Sequence, residues 1–297
     1  VKNNNLNFIF WGTPDVASET LEILKEDGYM PSLIVTVPDK PQGRKMLIIP
    51  SPVKIWAIEN NIPYLQPEDL NQKEIWDVLR TLGRSDGDGQ RKFLTENFRG
   101  EQNIPDLFLV VAYGKIIPED IINMPKLGSV NIHYSLLPKY RGASPVESAI
   151  LNGDAETGVS IQQMEYKMDT GPIIAREKIN IGNNEKTPDL RKHLIKIGAE
   201  LLVKILPDFI DGKIKPISQD ETEATYCKKI KKEDGLIDLK DDAVINYNKF
   251  RAYASWPRTF FFKNGKRIII ADAKIENGEF KVLKIIPEGK KEINYKC

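Results

Sequence analysis

Gly128-Ser129-Val130-Asn131-Ile132-His133-Tyr134-Ser135-Leu136-Leu137-Pro138 is the stretch on which the reading of this chain turns. Its first half reads as a short apolar strand that stops at a histidine and runs into a Ser-Leu-Leu-Pro turn. Side chains two apart on a strand share a face, so Asn131 and His133 point the same way. Strands of the same kind recur. Residues 6–11, 32–37 and 106–112 are apolar almost throughout, as expected of parallel strands covered on both faces, and 159–164 is another. Helices fall between them. Thr13-Pro14 predicts an N-cap followed by a first helical proline, and Ser51-Pro52 opens a second helix to Asn60. Residues 189–209 carry Leu190, Leu194, Ile197, Leu201 and Leu202 on one stripe. Strands alternating with helices predict an α/β fold, Rossmann-like, with a mostly parallel sheet.

The C-terminal part has a different grammar. After the linker-like Asp211-Gly212-Lys213-Ile214-Lys215-Pro216, short apolar runs at 260–262, 267–270 and 280–286 are separated by Asn264-Gly265 and Asn277-Gly278. Asn-Gly between apolar runs is hairpin-turn chemistry, so a small β-rich module is expected. Residues 80–103, with Ser85-Asp86-Gly87-Asp88-Gly89-Gln90 at their centre, read as a charged surface insertion.

Bulk properties exclude more than they identify. At 297 residues and 41% hydrophobic, the chain is large enough for one large domain or two ordinary ones, and its formal net charge of +1 names no partner. The distribution is more informative. From Lys213 onward 19 lysines and arginines face 13 acidic residues, behind a mildly acidic body. A basic tail of this kind suits a polyanion, although lysine-rich solvated faces are also common. Cys227 and Cys297 have no zinc or redox spacing, which predicts a reducing compartment. There is no run of 18 apolar residues, and the first five residues have no signal-peptide character, so a soluble, cytoplasmic protein without a membrane partner is expected.

The chemistry-bearing residues are few. Only two histidines exist in the chain, and one is His133. A lone strand histidine is most often buried and satisfied by a carbonyl. Here an amide shares its face, and the strand end is where open α/β sheets bind ligands. An amide donates to developing negative charge and an imidazole moves a proton. Asp169, in Met168-Asp169-Thr170-Gly171-Pro172, is the acid available to orient that ring, although Asp-Thr-Gly alone is ordinary turn chemistry. Other classes lack support. Phe10-Trp11-Gly12-Thr13-Pro14-Asp15 has one glycine rather than three, no phosphate loop or metal-ligand spacing occurs, and Ser135 has no Gly-x-Ser-x-Gly elbow. The loop 38–45 and the run 228–232 are cationic, reading either as solvated surface or as phosphate contacts.

Taken together, 131–142, Gly153-Asp154-Ala155-Glu156-Thr157-Gly158-Val159 and Met168-Asp169-Thr170-Gly171 resemble the folate-dependent formyltransferases, which pass a formyl group from 10-formyltetrahydrofolate to an amine. The segments 10–15, 38–45, 51–54, 110–118, Thr225-Tyr226, 231–238 and Trp256-Pro257 are similar to those of members whose amine is the α-amino group of initiator methionyl-tRNA. The resemblance implies a catalytic trio of Asn131, His133 and Asp169. It implies folate contacts at Ser135, Leu136, Leu137, Pro138, Tyr113, Gly114 and Ile116, and contacts to the tRNA acceptor stem and body at Lys40, Arg44, Lys45, Lys228, Lys229, Lys231 and Lys232. It implies a catalytic domain over 1–208 with the insertion 80–103, a linker over 209–219, and an OB-like β-barrel for tRNA binding over 220–297, in a monomer that uses no metal. The family's connection at 80–103 is shorter, and its barrel is longer between Ala273 and Glu288. Two relatives of this chemistry compete, a sugar-nucleotide N-formyltransferase and a formyl-folate hydrolase. A folate- or RNA-binding module without catalysis is the remaining reading.

Overall fold

A computed structural model describes residues 6–42, 46–81 and 104–295. The elements run β1 (Phe8–Gly12), α1 (Asp15–Glu26), β2 (Leu33–Val35), β3 (Lys40–Gln42), β4 (Leu47–Ile49), α2 (Pro52–Glu59), β5 (Tyr64–Leu65), α3 (Lys73–Thr81), β6 (Leu107–Val111), α4 (Glu119–Ile122), β7 (Ser129–His133) and β8 (Arg141–Gly142). They continue as α5 (Pro145–Leu151), β9 (Glu156–Gln163), β10 (Ile173–Asn180), α6 (Thr187–Ile210), β11 (Tyr226–Cys227), α7 (Ala243–Ala252), β12 (Phe260–Lys263), β13 (Lys266–Glu276), β14 (Glu279–Pro287) and β15 (Ile293–Asn294). Residues 1–133, 160–176 and 195–219 form one compact unit; 134–159, 177–194 and 220–297 form a second.

The main sheet has seven strands in the order β10-β9-β7-β6-β1-β2-β5. The pairs from β7 across to β5 are parallel. β1 and β6 are buried at every residue, which is why both read as unbroken apolar runs. The strand 159–164 of the sequence reading is β9, and it pairs antiparallel to β7. One side of the core is Ile9, Trp11, Leu33, Val35, Phe108, Val110, Tyr113, Ile117 and Ile121.

Helix starts follow local chemistry, with one correction. Ser51 caps α2 by accepting from the Lys54 amide at 3.1 Å, with Pro52 first in the helix. Thr13 does not cap α1. Pro14 takes the cap position in extended backbone, and the Thr13 hydroxyl instead donates to the Tyr113 carbonyl at 2.8 Å. That bond ties the turn after β1 to the turn after β6. In this sheet the chain order reverses between those two strands, where open α/β sheets leave a crevice.

The β-rich C-terminal part is present as a four-stranded antiparallel meander, β12-β13-β14-β15, whose hairpins turn on Asn264-Gly265 and Asn277-Gly278 with all four residues at positive φ. The barrel implied by the resemblance is thus seen as an open order of strands; no pair joining β12 to β15 occurs among the described residues. Its core is Ile237, Phe250 from α7, Phe261, Ile268, Ile270, Ala273 and Ile285. The insertion 80–103 lies, beyond Thr81, outside the described residues, as do Arg44 and Lys45.

Candidate active site

β7 positions the first two residues. In its register Asn131 stands between Val110 of β6 and Gln162 of β9, and His133 is paired with Ser160. His133 is 6% exposed, at the strand's carboxyl end. The bend between β9 and β10 supplies the acid. His133 Nδ1 lies 3.6 Å from Oδ1 of Asp169, whose side chain is 12% exposed. That separation exceeds a hydrogen bond. Catalytic contacts of this type commonly tighten only when substrate arrives. The structure therefore brings together His133 and Asp169, residues 36 apart in the chain, with Asn131 on the same strand face as the ring.

Two glutamines outside the expected trio hold that acid. Gln162 Nε2 donates to Asp169 Oδ1 at 3.0 Å, the same oxygen that approaches His133. A carboxylate only accepts, so it dictates which end of the amide faces it. Gln162 Oε1 is left buried without a hydrogen-bond partner, a cost carried by the site. Gln219 Nε2 donates to the carbonyls of Asp169 (2.9 Å) and Gly171 (2.7 Å). Asp169 itself has φ +55°, the left-handed region that non-glycine residues rarely adopt. Gly171 is dictated by space, because a Cβ there would sit 1.8 Å from the Gln163 carbonyl oxygen. The position of Gln162 opposite Asn131 becomes visible only once the β7–β9 register is known. Gln219, fifty residues from Asp169, has no local signal at all.

The loop after β6 offers a different surface. Tyr113 is buried, its hydroxyl lacks a hydrogen-bond partner, and burial pushes its pKa up to about 12, so it stays a neutral phenol. Ala112 and Gly114 both have positive φ. Nothing lies within 4 Å of where a Gly114 Cβ would be, and Ile116 is 74% exposed. Open backbone beside a bare aliphatic side chain, at the sheet's switch point, suits a flat ring system. Lys115 is turned away, its Nζ donating to the carbonyls of Pro67 and Glu68.

In the second unit the Ser-Leu-Leu-Pro stretch is a turn closed on itself. The Ser135 hydroxyl donates to the Lys139 carbonyl at 2.6 Å, and Ser135, Leu137 and Pro138 are buried, leaving Leu136 half-buried. Tyr140-Arg141-Gly142 has an architectural explanation. β8 pairs with β11, and the fully buried Arg141 guanidinium donates twice to the Glu221 carboxylate, at 2.8 and 3.0 Å. A Cβ on Gly142 would lie 2.2 Å from the Cys227 carbonyl oxygen. Among the basic residues, Lys40 is exposed on β3, and Lys228, Lys229, Lys231 and Lys232 are all exposed after β11. The β3–β4 hairpin is anchored at its base. Asp39 accepts from Lys54 Nζ and from Gln66 Nε2.

Known proteins resemble this chain over most of its length. Residues 4–206 match the model of the formyl transferase family, and 229–297 match that of the formyl transferase C-terminal domain. The chain is 38% identical over 271 residues to a methionyl-tRNA formyltransferase of Sulfurihydrogenibium sp. (strain YO3AOP1), covering 91% of this chain and 80% of that one. It is 37% identical over 319 residues to that of Dictyoglomus turgidum, covering 98% and 94%. Among solved structures, methionyl-tRNA formyltransferase from Clostridium thermocellum superposes with a TM-score of 0.58 at 18% identity, over 98% of this chain and 100% of that one. An N-formyltransferase from Helicobacter canadensis, in complex with folinic acid and dTDP-3-aminofucose, gives 0.65 at 19% identity, over 97% and 98%. At such identities the structural likeness establishes the fold, and the sequence matches establish more: this chain belongs to the formyl transferase family.

Proposed function

We propose that this chain transfers the formyl group of 10-formyltetrahydrofolate to the free α-amino group of initiator methionyl-tRNA, as a cytoplasmic enzyme of translation initiation. The observation that carries the reading is the approach of half-buried Asp169 to buried His133 at the carboxyl end of β7, the strand that also holds Asn131. It is supported by methionyl-tRNA formyltransferases at 36–40% identity over most of the chain. Residues 1–208 serve as the catalytic domain and 220–297 as the tRNA-binding domain, joined by 209–219. None of the described helices is long and apolar enough to cross a membrane.

The folate, when bound, supplies the formyl carbon. The open Gly114 and exposed Ile116 would take its ring. The chain's own residues then do three things. Asn131 donates to the formyl oxygen as negative charge develops there; such a donor is worth about 10²–10³ in rate. His133 carries one proton from the incoming amine to the departing folate nitrogen, as the new carbon–nitrogen bond forms and the old one breaks. Asp169 fixes the imidazole's orientation and stabilises its charged form. An α-amino group titrates near ~7.7–8.0, so the neutral nucleophile is available close to neutral pH. Lys40, Arg44, Lys45 and the four lysines at 228–232 attract the tRNA backbone.

The test uses purified protein, 10-formyltetrahydrofolate and, in parallel, charged initiator tRNA and an amino-sugar nucleotide. Formylation of the first alone is expected. Formylation of only the second makes the chain a sugar-nucleotide N-formyltransferase, and release of formate without either acceptor makes it a hydrolase.

A further inference from the structure

Gln219 stands in a stretch that reads as linker, yet it is bound into the catalytic bend. Ile217 and Ile173 exchange two backbone hydrogen bonds, at 2.8 and 2.9 Å, so the segment lies alongside the first residue of β10. Two residues further on, the Gln219 amide reaches across the bend and donates to the carbonyls of both Asp169 and Gly171. The first of these carbonyls belongs to Asp169, the residue in the left-handed conformation. A strained residue of this kind persists only where its surroundings over-determine it. Around it Thr170 bonds back to Lys167, the Gly171 backbone is pressed against the Gln163 carbonyl, and the Gln219 side chain donates to the Asp169 carbonyl. The two hydrogen bonds of Gln219 are comparable in strength to the strain they oppose.

We propose that Gln219 is a positioning residue for formyl transfer: bridging two carbonyls of the 169–171 bend, it holds Asp169 in the one backbone conformation that aims its carboxylate at His133. The inference rests on Asp169 being the catalytic acid. Without the bridge the bend relaxes, the acid swings off the imidazole, and the rate falls while substrates still bind. Misplacement of a catalytic group by about an ångström costs up to about 10²-fold.

The experiment compares wild type, Gln219→Met, Gln219→Glu and Asp169→Asn in full-length protein, with kcat and both KM values measured from pH 5.5 to 8.5. Methionine keeps the length and removes the donors. The expected result is a drop in kcat of about 10–100-fold with KM for folate and tRNA within about twofold. Glutamate facing two carbonyls is pushed toward its protonated form, which restores one donor. Gln219→Glu is therefore expected to match Gln219→Met at pH 8.5 and to recover relative to wild type as the pH falls. A Gln219→Met kcat within twofold of wild type at every pH overturns the proposal, as does a loss confined to KM. If Gln219→Met gives no cooperative melt, the glutamate series decides alone, and a pH-independent ratio to wild type overturns it. An active Asp169→Asn instead removes the trio reading, a result distinguishable from failure at Gln219.

Discussion

Oδ1 of Asp169 lies 3.6 Å from Nδ1 of His133, and the same oxygen accepts a hydrogen bond from Gln162. A neutral amide donor thus shares the oxygen that approaches the ring. A few tenths of an ångström of closure make the second hydrogen bond, and substrate binding is the event expected to supply it. Asp169→Asn keeps the shape and removes the negative charge that the proposed mechanism sets beside the imidazole. Its kcat is expected to fall by about 10²–10⁴, the range for acid–base groups, with little change in KM. Steady-state kinetics on charged tRNA check this, and a change under threefold would sink the pairing as a catalytic one.

Gln162 makes a milder and separable prediction. Gln162→Leu deletes the donor to Asp169 and also removes the buried orphan oxygen. Deleting both ends of a poorly satisfied amide is often nearly neutral for stability. The expected outcome is a loss of about tenfold in kcat, set by the freed carboxylate, with a thermal midpoint close to wild type. A stability loss without a kcat loss assigns Gln162 to packing instead.

Much of this was legible in the chain because the signals are local. Unbroken apolar runs marked β1 and β6, and Asn-Gly steps marked the two C-terminal hairpins. Asn131 and His133 could be placed on one face by strand period alone. What stayed hidden depends on contacts distant in sequence. No local pattern says that Gln162 sits opposite Asn131 or that Gln219 returns to Asp169. Thr13 misled because its hydroxyl donates to the Tyr113 carbonyl, one hundred residues away, instead of accepting from the amides of the helix it precedes. Arg141 and Gly142 belong to the stretch that carries the resemblance. Their surroundings are an ion pair to an exposed carboxylate and a close backbone approach.

That ion pair carries its own prediction. The Arg141 side chain is fully buried, whereas that of Glu221 is 59% exposed. Glu221→Ala removes the charged partner of a guanidinium inside the fold, which keeps its contact to the Tyr226 hydroxyl at 3.4 Å. Losing a buried pair's partner costs about 3–5 kcal/mol in full, but exposure of the carboxylate lets water replace much of it, so about 1–2 kcal/mol is expected. Urea denaturation measures it. A stability equal to wild type shows that solvent already screens the pair.

Asp39 links stability to pH at the base of the β3–β4 hairpin. The hydrogen bond from the Lys54 ammonium, with help from Gln66, holds its carboxyl below the ordinary value of 3.8. A depressed folded-state pKa means stability that is present above the unfolded value and is lost as pH falls through the folded one. Asp39→Asn should therefore cost roughly 0.5–1.5 kcal/mol at pH 7, and the difference from wild type should shrink as pH falls below 3.8. A difference that does not shrink on acidification means that shape, not charge, is what the asparagine disturbs.

The exposed lysines at 228, 229, 231 and 232 test the RNA half of the proposal apart from the chemistry. Each phosphate neutralised releases counterions, so affinity falls with salt at a slope set by the number of contacts. Replacing all four by alanine removes up to four such contacts and should flatten the salt dependence of the tRNA KM by about one in logarithmic slope for each lysine that touches phosphate. These side chains lie on the loop after β11 and at the start of the short turn 232–235, where exposure makes alanine cheap for the fold. kcat at saturating tRNA should stay within about twofold, because none of the four belongs to the trio. An unchanged salt slope in the quadruple variant moves the phosphate contacts elsewhere on the chain, with Lys40 and the rest of the hairpin finger next in line.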